Sequence, residues 1–268
     1  MGLISQPLRA CGLVESSWVR ASGAACFERH THDEYVLGAN LWGNERIWLD
    51  GRTLEVPVGA VTLYNPLAVQ ASEFAAEGVE YISLHLAPEA LQRVALENNL
   101  KDFSGAPCFD QGVLQDAGLY RAILDFARSA DDQPAIREEA LLALLGHLLE
   151  RPTGPAGEQS DALRLAVQCM RDTPHARLAL DELAVLAGLS KYHFVRCFKK
   201  ATGLAPLQYH MQLRLSEARR RLRDGMHPGE VAEALGFYDQ SHFINAFRRV
   251  MGMTPHQYWL AFRAPGRG

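Results

Sequence analysis

The sequence predicts a two-domain α+β protein, with an N-terminal β-barrel flanked by helices and a C-terminal domain made only of helices. Three observations lead to this fold class. Short β-rich runs punctuated by Gly and Pro fill residues 27–86, a Pro- and Gly-rich stretch follows at 151–161, and beyond it a helical pattern occurs twice. We therefore predict an N-terminal domain over residues 1–150, a linker over 151–161 and a C-terminal domain over 162–268.

The charge of the chain is divided unevenly between these domains. Residues 1–155 carry 11 Lys and Arg against 21 Asp and Glu, whereas residues 156–268 carry 16 against 10. The net charge of −4 therefore conceals a basic C-terminal region. Such a region suits a polyanion such as nucleic acid, whereas the acidic N-terminal half would repel one.

Cysteine usage and hydropathy indicate the compartment. The five Cys residues are widely spaced and form no C-x-x-C pair, which is typical of buried thiols in a reducing environment. The N-terminal segment has no charged region followed by an apolar one. The most apolar stretch, Ala140–Leu149, is half of the roughly 20 residues that a membrane span needs. We expect a cytoplasmic protein that does not contact a membrane.

The N-terminal strands are predicted from the runs EYVLGANLW, RIWLD, TLEVPVGAVTLYN and VEYISLHL, with turns at Gly43-Asn44 and Asp50-Gly51. Two amphipathic helices are predicted after them, over Leu114–Ala130 and Pro134–Glu150. The second has a wide apolar surface that must be buried either against the barrel or against a second subunit.

The C-terminal region contains an internal duplication. Matching residues recur with an offset of 48, which becomes 49 after a one-residue insertion. The matched pairs are Gly188-Leu189 with Gly236-Phe237, His193-Phe194 with His242-Phe243, and Pro206-x-Gln-Tyr209 with Pro255-x-Gln-Tyr258. The chain therefore carries two similar helical units.

Each copy has the pattern of a helix-turn-helix. In the first, Gly188 ends a short helix, Ser190 caps the next, and Phe194 and Phe198 lie one turn apart on its core face. In the second copy, Gly236 follows the short helix, and the next helix runs from about Asp239 to Met251 with Phe243 and Phe247 on its core face. A long helix over 206–225 joins the two units, and its arginines suit phosphates or acidic neighbours.

The outward face of each second helix has the chemistry of major-groove recognition. Arg pairs with guanine, Asn and Gln pair with adenine, and Val contacts the thymine methyl group. No acidic residue occurs between Ser190 and Gly203. We predict contacts to double-stranded DNA from Lys191, Tyr192, Val195, Arg196 and Lys199 in the first copy and from Gln240, Ser241, Asn245 and Arg248 in the second.

Two segments of this region resemble the AraC/XylS family of bacterial transcriptional regulators. They are LAVLAGLSKYHFVRCFKKATGLAPLQY, which ends at Tyr209, and GFYDQSHFINAFRRVMGMTPHQYW, over Gly236–Trp259. The resemblance implies base contacts from positions matching Tyr192, Val195 and Arg196, and Gln240, Ser241 and Asn245. It further implies a sequence-specific regulator, expected to be an activator, that forms a homodimer and acts with RNA polymerase.

The N-terminal domain resembles a cupin through Gly23-x6-His30-x-His32 and Gly51-x5-Pro57-x-Gly59. Two His at i and i+2 on one strand face the same side and are able to chelate a metal. However, Glu34 comes too early to be the usual acidic ligand, and Thr62 occupies the position expected for a later His. We therefore expect a cupin-like sensor with no metal and no other cofactor.

Polar and aromatic residues of that domain are candidates for lining a pocket for a small organic effector. They are His30, His32, Glu34, Trp42, Gln70 and His85. Alternatively, the His residues satisfy hydrogen bonds at strand ends and bind no ligand. Two other functions stay open beside the effector-dependent regulator: a metal-dependent cupin enzyme carrying a DNA-binding domain, and a regulator controlled by a protein partner. Of these classes we expect a regulator and not an enzyme.

Overall fold

The computed structural model describes residues 3–11, 14–97, 107–131, 133–151 and 161–263. The chain divides into two compact units. The first consists of Met1–Cys26, Asp33–Leu67 and Ser72–Ala156, and the second consists of Phe27–His32, Ala68–Ala71 and Gly157–Gly268. Most of the predicted linker lies outside the described residues, so the predicted domain boundaries stay a prediction.

The N-terminal region forms an antiparallel sheet of eight strands among the described residues. Along the sheet the strand order is β1-β2-β7-β4-β6-β8, with β3 pairing with β7 and β5 with β4. The strands are β1 (Leu3–Cys11), β2 (Val14–Ala21), β3 (Ala25–His30), β4 (Tyr35–Leu49), β5 (Arg52–Val56), β6 (Val61–Tyr64), β7 (Gln70–Leu86) and β8 (Gly112–Leu114). Strands β1 and β2 precede the predicted β region, and neither is predicted from the sequence.

The predicted turn at Gly43-Asn44 is wrong, because β4 runs through it without a break. Gly43 has a φ of 84°, and a Cβ atom there would collide with the carbonyl oxygen of Gly78 on β7. Glycine therefore marks a close approach of two strands with an irregular backbone, as at a β-bulge. The predicted turn at Asp50-Gly51 is confirmed, since both residues have positive φ (51° and 79°) between β4 and β5.

One face of this sheet, which we call the helix-packed face, contacts the helices that follow it. The helices are α1 (Pro88–Glu97), α2 (Ala117–Arg128) and α3 (Pro134–Leu149). Leu37, Leu63 and Leu84 on three strands form one core with Ile123 of α2 and Leu145 of α3. The C-terminal half of α3 is therefore buried against the sheet.

The opposite side of the sheet, which we call the polar face, is also buried but carries hydrophilic side chains. Successive side chains of a strand point to opposite faces of a sheet, and paired residues of neighbouring strands share a face. On the polar face, Gly38 and Val36 of β4 therefore lie opposite Thr62 and Tyr64 of β6. In β2 and β7 the corresponding residues are Glu15, paired with His85, and Ser17, paired with Ser83.

The C-terminal region is helical, as the sequence predicts. Its helices are α4 (Asp161–Asp172), α5 (Leu180–Leu186), α6 (Lys191–Thr202), α7 (Pro206–Arg223), α8 (Pro228–Ala234), α9 (Gln240–Met251) and α10 (Pro255–Arg263). Helices α5 and α6 form the first helix-turn-helix, α8 and α9 form the second, and α7 joins them. Within the described part of the chain, no helix combines the length and the apolar character that a bilayer crossing needs.

Candidate functional site

The two candidate recognition helices, α6 and α9, begin and end with the same capping chemistry. The Ser190 hydroxyl accepts from the His193 amide at 3.4 Å, and the Asp239 carboxylate accepts from the His242 amide at 2.6 Å. Both helices end at a left-handed glycine, Gly203 with φ 78° and Gly252 with φ 71°. These caps satisfy backbone groups that a helix end leaves unpaired, and they fix where each recognition helix starts.

Each recognition helix is supported by a stack of three aromatic rings. In the first copy Phe198 lies 5.4 Å from Phe194 and 5.4 Å from Tyr209, measured between ring centroids. In the second copy Phe247 lies 5.6 Å from Phe243 and 5.7 Å from Tyr258. The tyrosine of each Pro-x-Gln-Tyr motif therefore packs the following helix against the recognition helix of its own copy.

The residues predicted to contact DNA are accessible, with one exception. Tyr192 is 71% exposed, and all of the other predicted contact residues except Val195 are also exposed. Val195 is half-buried. Lys191 forms an exposed ion pair with Asp181 at 2.8 Å, which contributes little in water and competes weakly with a phosphate. The contacts themselves stay a prediction.

The arginines of α7 divide into two groups. Arg214 is buried and donates to the carbonyl oxygens of Pro174 and Ala176, both at 2.8 Å. Arg219 is also buried and donates to the Tyr258 hydroxyl at 3.2 Å. The other group finds acidic neighbours, because Arg220 and Arg221 each lie 2.7 Å from a Glu217 oxygen. Packing within the C-terminal helices therefore explains much of the arginine content of α7.

The cap of α9 gives a first testable prediction. Asp239→Ala removes an acceptor from an otherwise unpaired amide and a negative charge from the positive end of the helix dipole. We expect the free energy of unfolding of the helical domain to fall by about 1 kcal/mol, as measured by urea denaturation.

Two further variants control this experiment. Asp239→Asn keeps the acceptor oxygen and is expected to lose less stability than the Ala variant. Ser190→Ala removes the longer bond of the first copy and is likewise expected to cost less. An Asp239→Ala protein as stable as the wild type would show that the cap does not hold α9.

Three of the predicted effector residues, His30, His32 and Gln70, lie close together. The His30 and His32 rings are 5.0 Å apart, and Gln70 Nε2 lies 3.5 Å from His30 Nε2. All three are buried. His30 Nδ1 donates to the Glu28 carbonyl oxygen at 2.6 Å, and burial lowers the pKa of this ring below its usual value. His30 thus finds backbone and side-chain partners, as the hydrogen-bonding alternative requires.

Glu34, His85 and Trp42 are the remaining predicted effector residues. Glu34 and His85 form a pair, with Glu34 Oε2 at 3.5 Å from His85 Nδ1. Trp42 is 51% exposed, so it does not belong to the buried side of strand β4. The irregular backbone at Gly43 changes which residues face inward, and Glu45, Ile47 and Leu49 are the buried residues beyond it.

A polar cluster surrounds Glu45, and the sequence pattern does not predict it. This carboxyl is 6% exposed and hydrogen-bonds to Ser72, which also hydrogen-bonds to Tyr64. Burial raises the pKa of Glu45 to about 7, and the Ser72 hydroxyl opposes the change. The sequence contains one indication of this burial. Glu45 alternates with the apolar Ile47 and Leu49 in strand β4, so the three side chains point to the same face of the sheet.

Two family models match the chain. An AraC-like ligand binding domain matches residues 20–149, and a helix-turn-helix domain matches residues 183–260. The chain is also similar to the uncharacterized HTH-type transcriptional regulator YbfI of Bacillus subtilis strain 168. The two are 28% identical over 226 residues, which cover 80% of each chain.

Solved structures of ToxT from Vibrio cholerae have the same fold. An apo point variant of ToxT from strain SCE256 superposes with a TM-score of 0.63 at 11% identity, covering 95% of this chain and 99% of that one. Unsaturated fatty acid-bound wild-type ToxT of the same strain gives a TM-score of 0.60 at 10% identity, covering 96% and 97%. At these identities the likeness concerns the fold alone.

Proposed function

Because the chain belongs to the AraC family of transcriptional regulators, with a DNA-binding helix-turn-helix domain and a ligand-binding domain, we propose that it is an activator controlled by a small organic effector. The observation that carries this proposal is the pair of recognition helices with matching caps and matching aromatic supports. Neither α6 nor α9 contains Asp or Glu. Both therefore present an outward face that DNA phosphates do not repel.

Each protein chain reads two successive segments of the major groove in this proposal. Helix α7, at 18 residues, is about 27 Å long, close to the roughly 34 Å of one DNA turn that separates successive segments. Tyr192, Val195 and Arg196 contact the bases of the first segment, and Gln240, Ser241 and Asn245 those of the second. Lys191, Lys199 and Arg248 contribute contacts to either bases or phosphates.

The ligand-binding domain supplies the control and the dimer contact. Ile136 and Leu142 of α3 remain 48% and 44% exposed after the helix has packed on the sheet. We propose that a second copy covers them in a homodimer, and that effector binding alters how the DNA-bound dimer meets RNA polymerase. Such a coupling between sites typically amounts to about 1–3 kcal/mol.

We propose that the effector of this chain carries no carboxylate, unlike the unsaturated fatty acid bound to ToxT. A carboxylate ligand needs a cation to neutralise it inside a protein. No Lys or Arg is buried among the described residues of the first unit, whereas Glu15, Glu34 and Glu45 are all buried there. A ligand of the opposite charge suits this domain.

Substitution of Arg196 tests the proposed function. A guanidinium that reads one guanine contributes about 1–3 kcal/mol of discrimination. We expect Arg196→Ala to weaken binding to the cognate operator by that amount and to relax the preference at a single base pair. Selection of sites from a random DNA library, followed by titration of the selected sites, measures both effects.

Lys200→Ala is the matched control, since it removes one positive charge from the same exposed helix. It is expected to weaken binding slightly and equally for all sequences. If Arg196→Ala also weakens binding uniformly, Arg196 is a phosphate contact. If the wild type selects no sequence, the proposed function itself fails.

A further inference from the structure

Glu45 is a buried acid with no cation beside it in the part of the chain that the structure describes. It is 6% exposed, and Ser72 is its hydrogen-bond partner. No ion pair between described residues involves Glu45. A buried carboxylate is unfavourable unless a positive charge or several donors compensate it. The described surroundings of Glu45 therefore lack the positive charge or the further donors that its ionised form needs.

Aromatic side chains surround this carboxyl. Burial, and after it the nearby Glu45 carboxylate, raises the pKa of both Tyr64 and Tyr81 well above the usual value. Ser72 hydrogen-bonds to both Glu45 and Tyr64, so these two side chains meet at the same hydroxyl. Phe74 adds a third ring, 6.0 Å from that of Tyr81, and it lies two residues after Ser72 on the same strand. Tyrosine and phenylalanine faces attract cations through the negative potential of their rings.

A separate observation concerns the Asn40 side-chain oxygen, a buried acceptor that receives no hydrogen bond from the described residues. Asn40 is 1% exposed, and its Nδ2 donates to the carbonyl oxygens of Gly43 and Val56 at 3.1 and 2.8 Å. Its Oδ1 is buried and has no partner among the described residues. Buried side-chain oxygens of this kind are rarely left without a donor in native proteins.

Asn40 lies on the same side of the sheet as the aromatic residues. It continues the register in which Gly38 pairs with Thr62 and Val36 with Tyr64, so its side chain belongs to the polar face. Its amide is bonded to Val56, which is the cross-strand partner of Glu45. The unpaired oxygen and the uncompensated acid therefore belong to one cluster.

We propose that this cluster binds an organic ammonium ion that also carries a hydroxyl group. Glu45 is the counter-ion, the rings of Tyr64, Tyr81 and Phe74 form the walls, and Asn40 Oδ1 accepts from the hydroxyl group. The proposal rests on the proposed function in one respect, namely that residues 20–149 bind the effector. It names the chemical class of that effector.

Calorimetric titration of the full chain with choline tests the proposal. The neutral comparison ligand is 3,3-dimethylbutan-1-ol, which keeps the shape and the hydroxyl group but carries no charge. At pH 8 we expect the wild type to bind choline at least about tenfold more tightly than the alcohol. Ethanolamine serves as a second, smaller ammonium probe.

Variants assign the binding to this cluster. Glu45→Gln is expected to lose at least about tenfold in choline affinity and to leave the affinity for the alcohol unchanged. Glu55→Gln, which alters an exposed acid on neighbouring β5, is expected to change neither. Tyr81→Phe keeps the aromatic face and the affinity, whereas Tyr81→Leu reduces the affinity for choline.

Three results would each overturn the proposal: equal binding of choline and the alcohol, undiminished choline binding by Glu45→Gln, and no binding of either ammonium probe. If the Glu45→Gln protein folds poorly, the choline affinities of Tyr81→Phe and Tyr81→Leu test the site independently. No DNA is present in the titration. A negative choline titration therefore does not bear on DNA binding, and a negative operator experiment does not affect the result of the titration.

Discussion

Phe247→Ala is expected to lower the free energy of unfolding of the helical domain by about 3–5 kcal/mol. The ring is completely buried and contacts both Phe243 of α9 and Tyr258 of α10. Truncation removes its burial and leaves a cavity between two helices that cannot fully close. Because α9 is held by this stack, we also expect recognition of the second operator segment to be lost. Urea denaturation and DNase protection of the two operator segments measure these effects.

The duplication supplies an internal control. Phe198→Ala makes the equivalent cavity beneath α6, between Phe194 and Tyr209, and is expected to affect the first operator segment instead. Tyr192→Ala truncates an aromatic residue that is 71% exposed and should change stability by less than about 0.5 kcal/mol. Loss of both segments together in either Phe variant would contradict separate support of the two recognition helices.

Glu45→Gln is expected to stabilise the protein, and the gain should depend on pH. Burial raises the pKa of this carboxyl from its ordinary value of 4.5 to about 7. A raised carboxyl pKa means that the folded state favours the protonated form. The wild type therefore loses stability as pH rises from below 4.5 through 7, whereas the neutral amide does not. The two pKa values correspond to about 3 kcal/mol at pH 8.

Chemical denaturation of the ligand-free protein at pH 4 and pH 8 measures this difference. The two proteins should have nearly equal stability at pH 4, where the acid is mostly protonated in both the folded and the unfolded state. Glu55→Gln should show no comparable pH-dependent gain, because Glu55 is exposed. A wild type that is more stable than Glu45→Gln at pH 8 would mean that the ionised carboxylate already has a compensating partner.

The helices of the C-terminal domain could be predicted from the sequence because nearby residues determine where each helix begins and ends. Ser190 and Asp239 are strong helix caps, and Gly203 and Gly252 adopt the left-handed conformation at the helix ends. Such signals depend only on neighbours within a few residues. The repeat supplied each signal twice, which located the helices to within a residue or two.

The sheet was less predictable because strand pairing is a property of distant residues. Gly43-Asn44 has the composition of a turn, yet β4 continues through it because Gly78 on β7 leaves room for no side chain. Strands β1 and β2 were missed, and β2 is an irregular mixture of polar and apolar residues that becomes a strand through its neighbours β1 and β7. Tertiary contacts outweigh local propensity in such segments.

The candidate effector site shows the same limit of local information. Glu45 is flanked by the exposed Asn44 and Arg46, so its immediate sequence resembles a solvent-facing strand. Its burial becomes evident only when β4 is aligned with β6 and β7, which bring Tyr64 and Tyr81 to the same side. The histidines drew attention because of their spacing, yet His30 has ordinary structural partners.

The separate aromatic stacks have a consequence for how such a protein evolves. Phe198 with Tyr209 supports one recognition helix, and Phe247 with Tyr258 supports the other. Surface residues of one helix can therefore mutate, and change the bases preferred there, while the other helix keeps the protein bound in register. With the base contacts proposed above, new promoters become accessible in two small steps, and neither step requires an intermediate that has lost its hold on DNA.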